Sequence, residues 1–306
     1  MKILVLGRTV HPDGKETALL IANSLREILQ KHDDTVLTFS TYKQVLFDIS
    51  VEKTEVFVGK TQENIDEFDV IFMTNWFSHA SIRKDIALAI ALVAKERGIK
   101  LFNSEALYSR STSKLSQMII AAQNEVAVPR TIFSLDMILA KNYIHKIGIE
   151  LPLIAKDAQA SRGKNNYKIT NIEELEEIKA NHTEKTPYLL QCMIESDGSD
   201  DRFFMVNGKV KLVIRRKGAE GSHLNNTSQG GTATLISLED ISQTVLNIAE
   251  KMSKLLHREI TGLDIMYDLT NNGSPVFLEA NPIPQIATGS FVAEKLNALA
   301  EGLMEA

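Results

Sequence analysis

At 306 residues the chain is long enough for two or three packed subdomains. Its 44% apolar and 24% charged content is that of an ordinary soluble globular protein, and a formal net charge of −5 gives no basic surplus for a nucleic-acid backbone. The one cysteine, Cys192, excludes an internal disulfide and fits a reducing compartment.

The apolar run at 3–6 is too short for a signal peptide, and the longest apolar stretch, 86–94, is too short to cross a bilayer as a helix. A cytoplasmic protein with no membrane and no nucleic-acid partner is expected. Residues 3–7 read as a buried parallel strand, followed by helical spacing over 16–30 (Leu19, Leu20, Ala22, Leu25, Ile28, Leu29). Strands are expected at 36–39, 56–58, 70–73 and 100–102, with a helix at about 82–96. This alternation predicts a doubly wound parallel sheet over the first hundred residues. Beyond Asn103 the texture changes. A helix at 111–124, strands at 131–133 and 153–156, a helix at 172–180 and a strand at 188–191 follow. The last third holds a hairpin turning at Asn207-Gly208, a helix at 238–256, a second hairpin, and a helix from about Phe291. The fold class expected is α/β (α+β), with no internal repeat and no low-complexity linker.

The second hairpin carries the most chemistry. Residues 262–268 and 276–282 flank Asn271-Asn272-Gly273, a strong turn signal. Alternation puts Glu279 and Asn281 on one face, and a turn centred near 271–272 sets Asp264 opposite Glu279. Facing carboxylates destabilise a sheet unless compensated. A hard cation with oxygen ligands would compensate, and a solvated hairpin with outward charges fits equally.

Lys156 ends a strand and precedes a loop of small and polar residues, 157–166, whose backbone N–H groups could close over phosphates. It is not a P-loop: six residues separate Gly7 from Gly14 where four are required. Arg202 and Arg216 stand at either end of one hairpin and could converge on a phosphate or carboxylate, or remain solvated. The histidines lack zinc-protease spacing, residues 197–208 fail as a calcium loop, and Cys192 reads as a small core residue rather than a nucleophile.

In this order the residues resemble the ATP-grasp superfamily, most closely the RimK-type peptide glutamate ligases and the bacterial glutathione synthetases, from about Asn103 to Pro284. The matches open with Arg110, Lys114-Leu115 and Pro129-Arg130-Thr131. Lys156, the loop residues Ser161 and Gly163, and the hinge Gln191-Cys192-Met193-Ile194 follow. Next come Asp200 and Arg202 as Asp-x-Arg, Arg216, Asn226 with Gly230-Gly231, and finally Asp264, Glu279 and Asn281 with Pro284. The chain departs from the pattern at Ala160 and Asn165, where glycine is usual, and at Cys192, where glutamate is usual.

The resemblance implies an N-terminal Rossmann-like domain at 1–103, a central ATP-grasp subdomain at 104–188 with the phosphate loop, and a C-terminal subdomain at 189–306 with the metal site. It implies ATP with one or two magnesium ions, which manganese could replace. Lys114, Lys156, Ser161, Gly163, Gln191, Cys192, Met193, Ile194, Glu195, Asp200 and Asn226 would bind the nucleotide. Asp264, Glu279 and Asn281 would hold the metal, and Arg202 and Arg216 would stabilise charge in catalysis. The implied reaction joins a carboxylate to an amine through an acyl phosphate, on an amino acid, a peptide or a protein C-terminal tail, in a dimer or tetramer. A small-molecule ligase making a dipeptide or glutathione-like product, or a non-catalytic ATP-binding protein on the same fold, are the alternatives. A dinucleotide oxidoreductase is set aside because no Gly-x-Gly-x-x-Gly is present.

Overall fold

The computed structural model describes residues 1–9, 17–31, 34–74, 81–108, 113–158, 165–183, 186–218 and 231–305. β1 (Lys2–Gly7), α1 (Ala18–Leu29), β2 (Val36–Thr41), β3 (Val45–Ile49), β4 (Thr54–Val58), β5 (Glu63–Asn64), β6 (Val70–Met73), α2 (Ser81–Glu96) and β7 (Lys100–Phe102) form the N-terminal part. Strands β2-β1-β6-β7 make a parallel sheet in that order. Strand alternation in β1 covers both faces with helices: Ile3 and Val5 pack in the core with Ile21 and Leu25 of α1, Leu4 and Leu6 in the core with Ala87 and Ile90 of α2. This is the doubly wound arrangement expected from sequence. The strand expected at 56–58 lies elsewhere, in a three-stranded antiparallel sheet β3-β4-β5. No helix-length segment separates β3, β4 and β5, so a parallel crossover between them is sterically impossible.

The remaining chain gives α3 (Lys114–Gln123), β8 (Thr131–Phe133), α4 (Met137–Ile147), β9 (Leu153–Asp157), β10 (Asn166–Ile169), α5 (Leu175–Asn181) and β11 (Tyr188–Cys192). Then come β12 (Ser199–Val206), β13 (Lys209–Lys217), β14 (Thr232–Ile236), α6 (Gln243–Leu255), β15 (Ile260–Asp268), β16 (Ser274–Asn281) and α7 (Val292–Met304). Two antiparallel sheets result, β10-β9-β11-β8 and β14-β13-β12-β15-β16. α4 was not expected from sequence. Asp136 caps it through Ile138 N and Leu139 N, Gly148 ends it at φ +61°, and its Met137, Ala140 and Ile144 pack in one core with Leu153 and Ala155. The Asn207-Gly208 turn has both residues at positive φ (+51° and +72°), as a tight two-residue hairpin requires.

One face of the five-stranded sheet is largely apolar, with Phe203, Met205, Leu263, Ile265 and Phe277 packed in a core that includes Ala249 and Met252 of α6 and Met118 of α3. The other face changes character along the strands. Phe204, Val206 and Ile260 share a core with α7 and the N-terminal sheet, whereas Arg202 and Asp200, farther back along β12, carry charge. The site begins where this core stops. Among the described residues no helix is long and apolar enough to cross a membrane.

α7 reaches β12 through Gly302, where an added Cβ would overlap Val206 Cγ1 and lie 3.1 Å from Val206 Cβ. Valine in a strand is stiff at χ1 and cannot swing away. Gly302→Ala is therefore expected to destabilise by about 1–3 kcal/mol from overpacking, although alanine in a helix interior favours folding by about 0.8–1 kcal/mol. Urea unfolding of Gly302→Ala, and of the Gly302→Ala/Val206→Ala pair in which the overlap is relieved, checks this. A single variant as stable as the parent would refute the close approach.

Candidate active site

The β15–β16 register pairs Asp264 with Glu279 and Gly262 with Asn281. The expected Asp264–Glu279 pair is therefore present, although the pairs nearer the turn run one residue out of step with it, Asp268 facing Ser274. The loop contains Asn272 and Gly273 at φ +52° and +69°. A bulge lies on the turn side of Asp264–Glu279: Ile265 faces Phe277, leaving Leu278 as the extra residue. The bulge is what gives Phe277 to the core and Glu279 to the opposite face, since an unbroken strand would put them on one side. Asn281 Nδ2 donates to Glu279 Oε1 at 3.0 Å and to Asp264 Oδ2 at 3.4 Å, so the three side chains meet.

β12 and β13 are longer than expected, and Asp200, Arg202 and Arg216 lie inside them rather than beside them. The charged residues are tolerated there because the register pairs Asp200 with Arg216, and Arg202 with Asp264 on β15. Arg216 donates to both Asp200 oxygens at 2.7 Å, and Arg202 to both Asp264 oxygens at 2.8 and 2.7 Å. A further ion pair links Arg216 Nη2 to Asp264 Oδ2 at 3.0 Å. The two arginines do converge, as anticipated, and carboxylates of the chain hold them there. Burial pushes the Asp264 carboxyl up, but Arg202 and Arg216 together overcome it and hold the group below its ordinary range. Asp200 moves the other way. Its burial and the nearby Asp264 charge outweigh Arg216 and raise its carboxyl.

The lysines arrive from α3 and β9. Lys114 opens α3, whose N-cap is Ser113, and its Nζ donates to the Asp157 carbonyl at 3.1 Å and lies 3.8 Å from Glu279 Oε2. Lys156 pairs with Leu189 of β11, and so shares the face that meets the C-terminal core. Burial lowers its ammonium pKa, and the charge of Glu279 opposes that shift. Four cationic side chains (Lys114, Lys156, Arg202, Arg216) and three carboxylates (Asp200, Asp264, Glu279) thus meet in one electrostatically linked cluster.

The 191–195 segment is held by main-chain bonds: Cys192 N to Arg130 O, Met193 N to Pro152 O, and Leu269 N to Glu195 O. Gln191 is buried, with Nε2 donating to Thr131 Oγ1 at 2.9 Å. Met193 and Glu195 are exposed and Ile194 is half-buried. Cys192 packs against the α4 core, and burial pushes its thiol up, which suits a structural residue rather than a nucleophile. Ser161, Gly163 and Asn226, like Arg110, Ala160 and Gly230, lie outside the described residues.

Several supporting residues were not singled out in the sequence. Gln117, one turn after Lys114, clamps Ala280 at both its N–H (2.8 Å) and its carbonyl (3.2 Å), and Arg258 donates to the same carbonyl. Ala280 lies between Glu279 and Asn281, so both hold the proposed metal strand. Gly262 allows Pro284 and Arg202 to close on β15, since an added Cβ would lie 2.6 Å from Pro284 Cβ and 3.2 Å from Arg202 Cδ. The spacing of Gln117 from Lys114 on one helix was a usable signal, whereas nothing local marks Arg258.

The donor set suits magnesium. Asp264, Glu279 and Asn281 offer hard oxygen atoms, and among the described residues no cluster of three His, Cys, Asp or Glu side chains forms a metal cage. Two carboxylates and an amide are the incomplete set that leaves room for phosphate oxygens and water.

A parallel N-terminal sheet followed by two antiparallel sheets, with Lys114 and Lys156 beside the Asp264–Glu279–Asn281 row, is the architecture of the ATP-grasp class. The RimK-like ATP-grasp domain profile matches residues 111–301, and the chain belongs to that family. Proteins named "Probable alpha-L-glutamate ligase" are similar to it. That of Syntrophotalea carbinolica is 29% identical over 63% of this chain and 64% of its own length, and that of Shewanella loihica 31% identical over 62% and 64%. The matched stretch thus spans just under two thirds of these relatives, while that of Trichodesmium erythraeum is 28% identical over 83% of each chain. Among solved structures, the ATP-grasp ligase PsnB complexed with minimal precursor is 16% identical with a TM-score of 0.69, over 99% of this chain and 98% of that one. The macrocyclase MdnC bound with precursor peptide MdnA from Microcystis aeruginosa is 13% identical with a TM-score of 0.68, over the full length of both. These likenesses show the shared fold.

Proposed function

We propose that the chain is an ATP- and magnesium-dependent carboxylate–amine ligase that forms an amide through an acyl phosphate, releasing ADP and phosphate. The observation that carries this reading is the convergence of Lys114 and Lys156 on the Asp264–Glu279–Asn281 row. Adenine would sit at 191–194 with Glu195 at the ribose, and the triphosphate would run toward the two lysines, Ser161, Gly163 and Asn226. Magnesium, or manganese in its place, would supply neutralisation of phosphate charge between Asp264, Glu279 and Asn281. The substrate carboxylate attacks the γ-phosphorus and ADP leaves. An amine then attacks the acyl carbon, phosphate leaves with the bonding pair, and the amine loses a proton. Arg202 and Arg216 stabilise charge without forming covalent bonds, each held in place by its aspartate.

The acceptor we favour is a peptide or a protein tail, with an amino acid as partner. Relatives named as glutamate ligases and structural neighbours complexed with precursor peptides support it. The units proposed are 1–103, 104–188 and 189–306, in a cytoplasmic homodimer or homotetramer. The experiment is release of ADP and phosphate with magnesium against amino acids, peptides and C-terminal tails. Release that requires both an acid and an amine supports the ligase. A dipeptide or thiol-bearing product would favour the small-molecule alternative. Silence across the panel, with tight ATP binding, would overturn catalysis and leave a nucleotide-binding protein.

A further inference from the structure

Asn165 takes a backbone conformation that glycine would supply more easily: its φ is +57°. Asparagine is the side-chain-bearing residue that tolerates this left-handed region best. The amide it adds is used. Asn165 Nδ2 donates to Asp157 Oδ2 at 3.1 Å, joining the two ends of the 158–164 segment. Asp157 is buried and held by its neighbours. It pairs with Tyr188 in β11, the following Ala158 N donates to Pro187 O at 2.7 Å, and its own carbonyl accepts from Lys114 Nζ. Lys156 precedes it directly and is paired with Asn166, the residue after Asn165.

A continuous chain of contacts therefore runs from Asn165 through Asp157 to Lys114, and from Lys114 to Glu279. We propose that Asn165 is a positioning residue that holds both lysines on the nucleotide phosphates by tethering Asp157. The bond fixes the end of the β9–β10 ladder from which Lys156 projects, and steadies the carbonyl that orients Lys114. This rests on the ATP-binding reading of the site and goes beyond it, because it gives a role to a residue that touches neither nucleotide nor metal in that reading.

The test uses the full-length protein and three variants, reading the ATP KM and kcat, the ATP Kd by calorimetry, and the melting temperature. Asn165→Gly keeps the backbone and removes the amide. Its ATP KM and Kd are expected to rise about fivefold, the factor that one ordinary hydrogen bond supplies, with kcat within about twofold. Asn165→Asp sets two carboxylates against each other and should weaken ATP binding further. The reversed pair Asp157→Asn/Asn165→Asp restores an amide–carboxylate bond and should return both constants to within about twofold of the parent, a rescue that a merely structural defect would not show. Parental constants in Asn165→Gly and Asn165→Asp would overturn the positioning role, whatever the turnover. The expected order in Kd without turnover would uphold it and count against the ligase reading alone. Failure of the unaltered chain to bind ATP would overturn both.

Discussion

Glu279→Ala is expected to lower kcat by at least about a hundredfold, the usual scale for losing one preorganised charge at a reacting centre, while weakening nucleotide binding far less. The asymmetry follows from the geometry. Lys114 lies 3.8 Å from Glu279 Oε2, and Lys156 is under its electrostatic influence. Lys114 keeps its attraction to phosphate when the carboxylate is removed, and a bound phosphate takes over from Glu279 in opposing the burial shift of Lys156, so the ground-state complex survives. The lost element is the second carboxylate of the Asp264–Glu279 pair, on which any cation between the strands depends. Asn281 also loses its 3.0 Å acceptor and with it part of its orientation. Single-turnover ADP release measures the chemical step and calorimetry measures ATP affinity. A Glu279→Ala protein that turns over at the parental rate would remove the metal assignment, and a parallel loss in both quantities would assign Glu279 to binding instead.

That site could be approached from sequence because its central contact is local. An asparagine–glycine turn fixes to within a residue which positions face each other across a hairpin, so counting brought Asp264 and Glu279 together. The turn-side register alone would set Asp264 opposite Leu278, and the bulge supplies the last step. The bulge at Leu278 was not legible, since nothing in the run 276–279 distinguishes a bulged strand from a regular one. Non-local pairing was also out of reach. Arg202 meets Asp264 because β12 lies beside β15 with β13, β14 and α6 between them in the chain, and strand order is not written in any short segment. The arginines therefore looked free to seek a ligand, when each already had an aspartate. In the N-terminal part the buried parallel strand β1 was evident from its continuous apolar run. The sheet formed by β3, β4 and β5 was not, because isolated strands carry no mark of the partner they choose. Helix α4 escaped because its three buried positions, Met137, Ala140 and Ile144, are accompanied by exposed Ile138, Leu139 and Tyr143, which blur the apolar stripe.

Glu105→Ala is expected to destabilise the protein by about 3–5 kcal/mol, the range for breaking a fully buried ion pair. Glu105 and Arg258 are 0% and 2% exposed, and Arg258 Nε donates to Glu105 Oε2 at 2.8 Å. Removing the carboxylate leaves a guanidinium buried without its counter-charge, and its desolvation is then uncompensated. Against a typical total of about 5–15 kcal/mol, such a loss threatens folding itself. Replacing both residues by methionine should recover most of it, because the penalty lies in the unpaired charge rather than in the missing attraction. Urea unfolding of the single and double variants, with the slope checked for constancy, reads the difference directly. A single-variant loss below about 1 kcal/mol, the range of an exposed pair, would mean that water reaches the guanidinium and would refute the burial argument. The consequences extend to the site. Around Glu105, Asn103 Oδ1 accepts from Ile260 N at 2.8 Å and Ser104 Oγ donates to Glu259 at 2.6 Å, so the N-terminal sheet is fastened to the start of β15. Arg258 in turn holds the carbonyl of Ala280, between Glu279 and Asn281. The methionine pair would restore stability without restoring that donor, so its kcat should stay below the parental value even where its fold is secure. Recovery of stability and activity together would show that Gln117 alone suffices to hold β16.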